Sequence, residues 1–400
     1  MDIVYFLDQD WDISPRRPHI TALAKYARVL CLGAPVTIDT PLRKPKRFIR
    51  WLRYQGKVRR AGNHLYFHLP FMFVPHAISF KYPVFRGINR RLMRWNARRA
   101  VAKLGMKEPV VFIFNPQQAF EAGILGESLL CYEVVDEYSE YAGMSEKARS
   151  RMREEEKRLL EKADIVFAVS KGLCQEKSKL HPHVYPFYNT TDVAHFMKAL
   201  DEEAEIPADI AVIPAPRIGF VGNINDIFDC GLINHLAKAH PEWSIVLIGK
   251  ANGTKQFLRS PAFLESKEIT NIHYLGWQDF AELPNYLKAI DVCLMPELNN
   301  QLTKYMHHNK IYQYLAAGKP VVATYNPEIY YNIDLEVSKL MAIARDYAEF
   351  ERLVEEALQH NSPEQIRRRV EVAKDNSAEK RAEAKMEILR HHLSKLSQMG

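Results

Sequence analysis

Short apolar runs alternate along this 400-residue chain with longer segments whose apolar positions recur every three or four residues. The short runs predict buried strands, and the longer segments predict helices. Alternation of the two is typical of parallel sheets that carry helices on both faces, so an α/β protein is expected. The predicted strands are residues 3–7, 28–33, 110–114, 131–135 and 164–170 in the first half, and 217–222, 244–249, 272–276, 291–296 and 320–324 in the second.

The alternation stops once, across residues 197–216, which are acidic and then rich in proline and alanine. This composition is typical of a linker, and the chain is longer than one hydrophobic core usually supports. We therefore predict an N-terminal domain of residues 1–200, a linker of 201–216 and a C-terminal domain of 217–375. A last helix, 376–400, is expected to pack back toward the N-terminal domain. Two doubly wound domains also predict a ligand cleft between them.

Positive charge is concentrated in the first domain. From Arg16 to Lys107 there are 22 lysines and arginines and one acid, Asp39. Within this region Phe48, Trp51 and Leu52 stand at helical spacing among basic residues, which favours an anionic membrane surface as partner. A solvated basic helix with a few core anchors explains the same pattern equally well. Nucleic-acid binding is a third interpretation, but no nucleic-acid motif is present, so no such partner is expected.

Cysteine usage and the hydropathy of the chain bear on its location. The five cysteines are widely separated, which fits reduced thiols rather than a disulfide framework or a zinc cluster. Met1 leads directly into a predicted strand without a basic segment, so no signal peptide is predicted. The most apolar stretch, 64–80, is interrupted by histidines and prolines and is too short to span a bilayer. We expect a cytoplasmic protein, peripheral on the inner face of the cell membrane.

Several motifs in order resemble a known family. They are ADIVFAVSKGLCQEKSKLHPHVYPFYNTTDVAHF, RIGFVGNI, NIHYLGWQDFAELPNYLKAIDVCLMP and NKIYQYLAAGKPVVAT. Together they resemble bacterial GT-B glycosyltransferases, in which an Asn…Asp…Phe signature, here Asn189, Asp192 and Phe196, leads into the second domain. The resemblance covers residues 160–330 well and the N-terminal domain loosely. It implies two Rossmann-like domains with a cleft, a nucleotide-sugar donor such as a UDP-sugar in the C-terminal half, and no cofactor.

The same motifs carry the predicted donor site. Glycine at 222 allows the backbone of Gly222 and Asn223 to approach a phosphate, although helix–strand packing explains the glycine as well. Lys310 and Gln313 are three residues apart and share one face of a predicted helix. Lys310 would offset charge on the leaving diphosphate, and Gln313 would hydrogen-bond ribose or sugar hydroxyls.

Residues around this helix define the rest of the donor pocket and the subfamily. Tyr305 and Met306 are expected to line the base or sugar, with helix-end packing as the alternative. Glu297 is either a nucleotide contact or an ordinary loop acid. Retaining family 4 enzymes carry two glutamates where this chain has Tyr305 and Gln313. The chain resembles instead the inverting glucuronosyltransferases of xanthan-type exopolysaccharide, which implies UDP-glucuronate as donor. A retaining family 4-type transferase of cell-wall or exopolysaccharide synthesis, and a non-catalytic nucleotide-sugar or nucleic-acid binding protein, are the alternatives.

An inverting displacement needs a base that removes the proton of the acceptor hydroxyl. Asp136 directly follows the predicted strand 131–135 and stands at the position that the resemblance indicates for this base. A helix N-cap is the structural alternative for an aspartate placed there.

The loop after the first strand holds the predicted acceptor contacts, Asp10, Asp12, Arg16 and Arg17. The two arginines would meet an anionic acceptor such as a lipid-linked saccharide. Asp8-Gln9-Asp10 matches the metal-binding Asp-X-Asp of the other transferase fold, but it follows the first strand of the predicted acceptor domain. No metal site is therefore predicted.

Overall fold

The structure is a computed structural model of the full chain, and it describes residues 1–9, 11, 14, 16–54, 57–332 and 335–399. The chain forms two compact units. The first consists of Met1–Val169, Leu173–Tyr188 and Glu379–Gly400, and the second of Ser170–Gly172 and Asn189–Ala378. The first unit therefore ends twelve residues before the predicted boundary at 200, and the last helix belongs to it.

The first unit is built on an eight-stranded sheet in the order β3-β4-β2-β1-β5-β6-β7-β8. All neighbours are parallel except β3 and β4, which pair antiparallel at one edge. Its strands are β1 Asp2–Phe6, β2 Arg28–Leu32, β3 Arg59–Gly62, β4 Leu65–His68, β5 Val110–Ile113, β6 Leu129–Val134, β7 Ile165–Ala168 and β8 Val184–Pro186.

The second unit holds a six-stranded, fully parallel sheet in the order β11-β10-β9-β12-β13-β14. Its strands are β9 Arg217–Val221, β10 Ser244–Ile248, β11 Ile272–Gly276, β12 Val292–Met295, β13 Val321–Thr324 and β14 Met341–Ala344. The strand order reverses between β9 and β12, as it does between β1 and β5 in the first sheet. In doubly wound sheets ligands bind outside the carboxyl ends of the strands at such a switch point.

Helices cover the sheet of each unit. In the first unit they are α1 Arg17–Leu23, α2 Thr40–Arg43, α3 Pro45–Tyr54, α4 His76–Lys81, α5 Val84–Lys103, α6 Glu146–Leu160, α7 Lys171–Ser178 and, at the end of the chain, α17 Ala378–Met399. In the second they are α8 Val193–Phe196, α9 Ala208–Ala211, α10 Cys230–Ala239, α11 Pro261–Glu265, α12 Leu283–Ala289, α13 Asn309–Ala316, α14 Leu335–Ser338, α15 Tyr347–Gln359 and α16 Pro363–Asp375. Among the described residues, none of these helices combines the length and apolar character that crossing a membrane requires.

All ten predicted strands are present, because runs of apolar residues favour strands in a parallel sheet. Most of them are buried along their length, whereas the edge strand β11 is buried only at Ile272. The strands that the pattern missed lie at or near the sheet edges. The four residues of β3 are all exposed, so this strand has no alternation of buried apolar and exposed polar residues by which the sequence could predict it.

The predicted linker contains regular structure. It contains α9, and its Ile210 and Ile213 are buried in the core of the second unit. Asp209 accepts a hydrogen bond from the hydroxyl of Tyr286 at 3.0 Å. These contacts give residues 208–213 a packed position that their composition did not predict.

Candidate functional site

The carboxyl edge of the second sheet brings together two residues at the switch point. Gly222 directly follows β9, and Glu297 follows β12 two residues after its last position. A side-chain carbon at position 249, after β10, would lie 1.8 Å from the carbonyl oxygen of Gly222. The strand ends are therefore so closely packed that a bare backbone is required here. Close packing of the sheet therefore accounts for the bare backbone at Gly249, and the N–H of Gly222 itself donates to the carbonyl of Ile248 at 2.9 Å.

Lys310 lies beside Gly222. A side-chain carbon at position 222 would lie 3.4 Å from Nζ of Lys310, and the ammonium also lies 4.9 Å from the ring centroid of Phe220. The lysine stands in the first turn of α13, and its side chain is 19% exposed. A partly desolvated cation beside a glycine is suited to binding an anion. The structure thus brings Gly222 and Lys310 together.

Glu297 is the buried counter-charge of this cation. Its Oε1 accepts from Nζ of Lys310 at 3.3 Å, and its Oε2 lies 2.7 Å from Nε2 of His308. Burial favours the neutral acid, but the charges of His308 and Lys310 outweigh it and lower the pKa of Glu297 to about 2. Glu297 is therefore an ionised, buried carboxylate rather than an ordinary loop acid. His308 belongs to the same cluster.

Tyr314 explains why Lys310 reaches this position. It lies one turn after Lys310 on α13 and is buried. The backbone N–H of Val221 donates to its hydroxyl at 2.9 Å, and the hydroxyl donates to the carbonyl of Val221 at 3.3 Å. The N–H and carbonyl of Val221 are free to bond Tyr314 rather than β12, because β12 pairs with β9 only at Ile218 and Gly219. Tyr314 therefore anchors α13 to the end of β9, a role that sequence reasoning missed.

The remaining predicted donor residues lie around α13 and the end of β9. Asn223 is exposed and Gln313 is half-buried. Met306 is half-buried in the segment that leads into α13, where its N–H donates to the carbonyl of Thr303. Tyr305 packs against Gly172, where a side-chain carbon would lie 2.7 Å from its ring.

The helix after β9 does not offer a free N-terminus. α10 begins at Cys230, eight residues beyond Gly222, and the carboxylate of Asp229 already accepts from the N–H of Leu232 at 3.0 Å. Tyr347 donates to the same carboxylate at 2.9 Å. A phosphate at Gly222 would therefore depend on the local backbone and Lys310 rather than on this helix end.

In the first unit, Asp136 lies at the carboxyl end of β6, one strand away from the switch point. It does not cap a helix: the described cap of α6 is Ser145, and the short 3-10 turn Tyr138–Glu140 is preceded by Glu137. The carboxylate of Asp136 instead accepts a hydrogen bond from the hydroxyl of Tyr141 at 2.6 Å. Nothing in the sequence pattern indicated this tyrosine.

The predicted acceptor arginines differ in environment. Arg16 is largely buried, pairs with Asp8 at 3.1 Å and stacks on Phe114 at 3.9 Å from the ring centroid. Burial acts to lower the pKa of Arg16, but the acidic groups around it, Asp8 first among them, together outweigh burial and raise this pKa. Arg17 is exposed at the start of α1. Asp10 and Asp12 lie outside the described residues.

The basic helix α3 shows a different apolar face from the one predicted. The rings of Phe48 and Trp51 stack at 5.8 Å, and Trp51 packs on Phe71 at 6.0 Å. Both side chains are half-buried, as expected for a solvated basic helix with a few core anchors. The outward apolar residues are Ile49 and Leu52, which are 57% and 50% exposed.

Comparison with known proteins relates this site to a family. Residues 215–360 match the family Glycosyl transferases group 1. A segment of 189 residues is 26% identical to a candidate teichuronic acid biosynthesis glycosyltransferase, TuaH, of Bacillus subtilis strain 168. That match covers 46% of this chain and 46% of the relative, so it spans about half of the relative's length.

Solved structures are similar over nearly the whole chain. Sucrose-phosphate synthase from Thermosynechococcus elongatus has a TM-score of 0.70 at 14% identity, covering 99% of this chain and 100% of that one. HepE of Anabaena, in complex with UDP and glucose, has a TM-score of 0.66 at 14% identity, covering 97% and 99%. The chain therefore has the GT-B fold, and its resemblance to bacterial GT-B glycosyltransferases is confirmed.

Proposed function

We propose that this protein is a glycosyltransferase that binds the diphosphate of a nucleotide-sugar donor at Gly222 and Lys310. The observation that carries the proposal is the partly buried ammonium of Lys310, held beside Gly222 at the switch point of a parallel sheet. HepE, of similar fold, is known in complex with UDP and with UDP-glucose, which supports a UDP-sugar as donor. UDP-glucuronate is the sugar nucleotide that we would test first.

Lys310 would stabilise the leaving group. When the bond between the sugar C1 and the diphosphate breaks, negative charge develops on the phosphate oxygens, and a fixed ammonium lowers the energy of that state. Glu297 keeps Lys310 in place between donors, since the two groups are in contact. Asn223, Tyr305, Met306 and Gln313 would contact the rest of the donor.

The transfer itself would proceed with inversion. Asp136 would take the proton of the acceptor hydroxyl as its oxygen bonds to C1 and the diphosphate departs with its electron pair. The glutamates of retaining family 4 enzymes are replaced by Tyr305 and Gln313, which supports this mechanism over retention. No metal enters this scheme.

The acceptor would be a lipid-linked saccharide, approached from an anionic membrane surface. α3 and α5 contain no acidic residue, and both contact the segment around Phe71, whose carbonyl accepts from Asn96 of α5. Val84, Ile88 and Trp95 lie on one face of α5 and are 75%, 44% and 58% exposed. Exposed apolar side chains among arginines are suited to the interface of an anionic bilayer. Of the predicted acceptor contacts, Arg17 is exposed, whereas Arg16 is largely buried and paired with Asp8.

The decisive experiment combines binding and turnover. Purified protein is titrated calorimetrically with UDP, UDP-glucuronate, UDP-glucose, UDP-N-acetylglucosamine and GDP-mannose, without metal and then with Mg²⁺. Metal-independent binding of one UDP-sugar, together with product of inverted anomeric configuration, is the expected result.

The variant Asp136→Asn tests whether the first unit supplies the base while the second unit binds the donor. It should lower transfer by about 100-fold or more while leaving donor affinity intact. Retained configuration would favour the family 4-type alternative. Binding without turnover in the wild type, with an acceptor present, would favour a non-catalytic binding protein.

A further inference from the structure

The carboxylate of Asp136 is held by a neighbour from its own loop. The chain leaves β6, passes through the 3-10 turn Tyr138–Glu140 and brings Tyr141 back toward Asp136. The distance of 2.6 Å between the tyrosine hydroxyl and Oδ2 is that of a charge-assisted hydrogen bond between a hydroxyl and a carboxylate. Residues 137–141 therefore form a small loop that closes on the side chain of Asp136.

This loop is fixed from outside by α6. Arg149 donates to the carbonyl oxygen of Ser139 at 2.5 Å and to that of Tyr141 at 3.4 Å. The ring of Tyr141 also packs against the buried Tyr138, with centroids 5.5 Å apart. Because backbone and ring are both anchored, the hydroxyl of Tyr141 has a defined position relative to Asp136.

The electrostatic surroundings keep this hydroxyl protonated. Burial and the adjacent charge of Asp136 raise the pKa of Tyr141. Other ionisable groups that act on the pair include Tyr138 in the turn, and Asp8 and Arg16 from the segment that follows β1. Asp8 and Arg16 form an ion pair, so their opposite charges largely cancel each other's effect on Asp136 and Tyr141. Tyr141 is therefore a hydrogen-bond donor to Asp136 throughout the pH range in which enzymes of this class work.

We propose that Tyr141 is a positioning residue for Asp136, and this rests on the role proposed for Asp136 above. Its hydrogen bond orients the carboxylate and stabilises the ionised form. In the transfer, the acceptor hydroxyl gives its proton to Asp136, its oxygen bonds to C1, and the diphosphate leaves with the electron pair of the broken bond. Tyr141 gives up no proton at any point.

The test is the pH profile of Tyr141→Phe, which retains the ring and its packing on Tyr138. Loss of the hydrogen bond raises the pKa of Asp136, so the acid limb of kcat/KM should move up by about one to two pH units. Donor affinity should be unchanged, and the rate should recover above the shifted limb. A merely structural defect would lower the rate equally at every pH. Tyr26→Phe, at a 38% exposed tyrosine of the same unit, is the matched control and should keep the wild-type profile.

Asp136→Asn is measured in parallel. If it loses transfer and Tyr141→Phe keeps the wild-type profile, the inference about Tyr141 is overturned while the base assignment stands. If Asp136→Asn transfers sugar at the wild-type rate, Asp136 is not the base, and the role of Tyr141 falls with it.

Discussion

The ammonium of Lys310 and the buried carboxylate of Glu297 lie 3.3 Å apart, one on α13 and the other just after β12. Glu297 is 7% exposed and has His308 as a second partner. The cation is therefore held next to Gly222 by a carboxylate that stays ionised.

Lys310→Ala should weaken binding of the UDP-sugar and lower kcat by about 100-fold, because the charge that offsets the leaving diphosphate is lost. Calorimetric titration and initial rates measure the two effects. Lys374→Ala, at an exposed lysine of α16 in the same unit, is the control and should behave as wild type. Equal UDP-sugar affinities and rates for the two variants would contradict a role of Lys310 in binding the donor.

Glu297→Gln should change how stability depends on pH. The pKa of Glu297 is lowered from an ordinary value near 4.5 to about 2. Its ionisation therefore stabilises the fold fully above about pH 4.5, and this contribution, about 3 kcal/mol, is lost as pH falls through about 2. Urea unfolding from pH 7 to pH 2 should show the gap between wild type and variant narrowing with acidity.

Glu268→Gln is the matched control for that series, since Glu268 is exposed in the same unit. Its unfolding free energy should follow the wild type at every pH. Parallel curves for wild type and Glu297→Gln would contradict the ionised state assigned to Glu297.

Tyr314→Phe should destabilise the protein by about 1 to 3 kcal/mol, because the buried N–H of Val221 loses its partner. It should also weaken UDP binding, since α13 is no longer tied to the end of β9. Urea unfolding and calorimetry check the two effects. Unchanged UDP affinity in a destabilised variant would show that Tyr314 supports the fold without positioning Lys310.

Ile88→Ser combined with Trp95→Ser should reduce sedimentation with vesicles of phosphatidylglycerol, because both side chains are exposed on the basic helix α5. Wild-type binding should weaken at high salt and be lower on phosphatidylcholine vesicles. Val212→Ser removes an 81% exposed apolar side chain from the second unit and is the control. Equal sedimentation of all three proteins would argue against α5 as the contact.

The sequence by itself determined the two parallel sheets, because a strand buried on both faces must be apolar along its whole length. It also predicts the proposed donor site, since Gly222 follows one such strand and Lys310 lies in the first turn of a helix within a recognisable series of motifs. The proposed base, Asp136, was predicted in the same way, from its place after the strand β6.

Only the tertiary structure decided which side chains meet. Glu297 and His308 are eleven residues apart, and Tyr314 reaches Val221 across 93 residues, so no local spacing relates the members of these pairs. The outward face of α3 was likewise decided by packing, since Phe71 draws Trp51 inward and leaves Ile49 and Leu52 exposed. Periodicity reports which positions are apolar, but the partner that buries them comes from elsewhere in the chain.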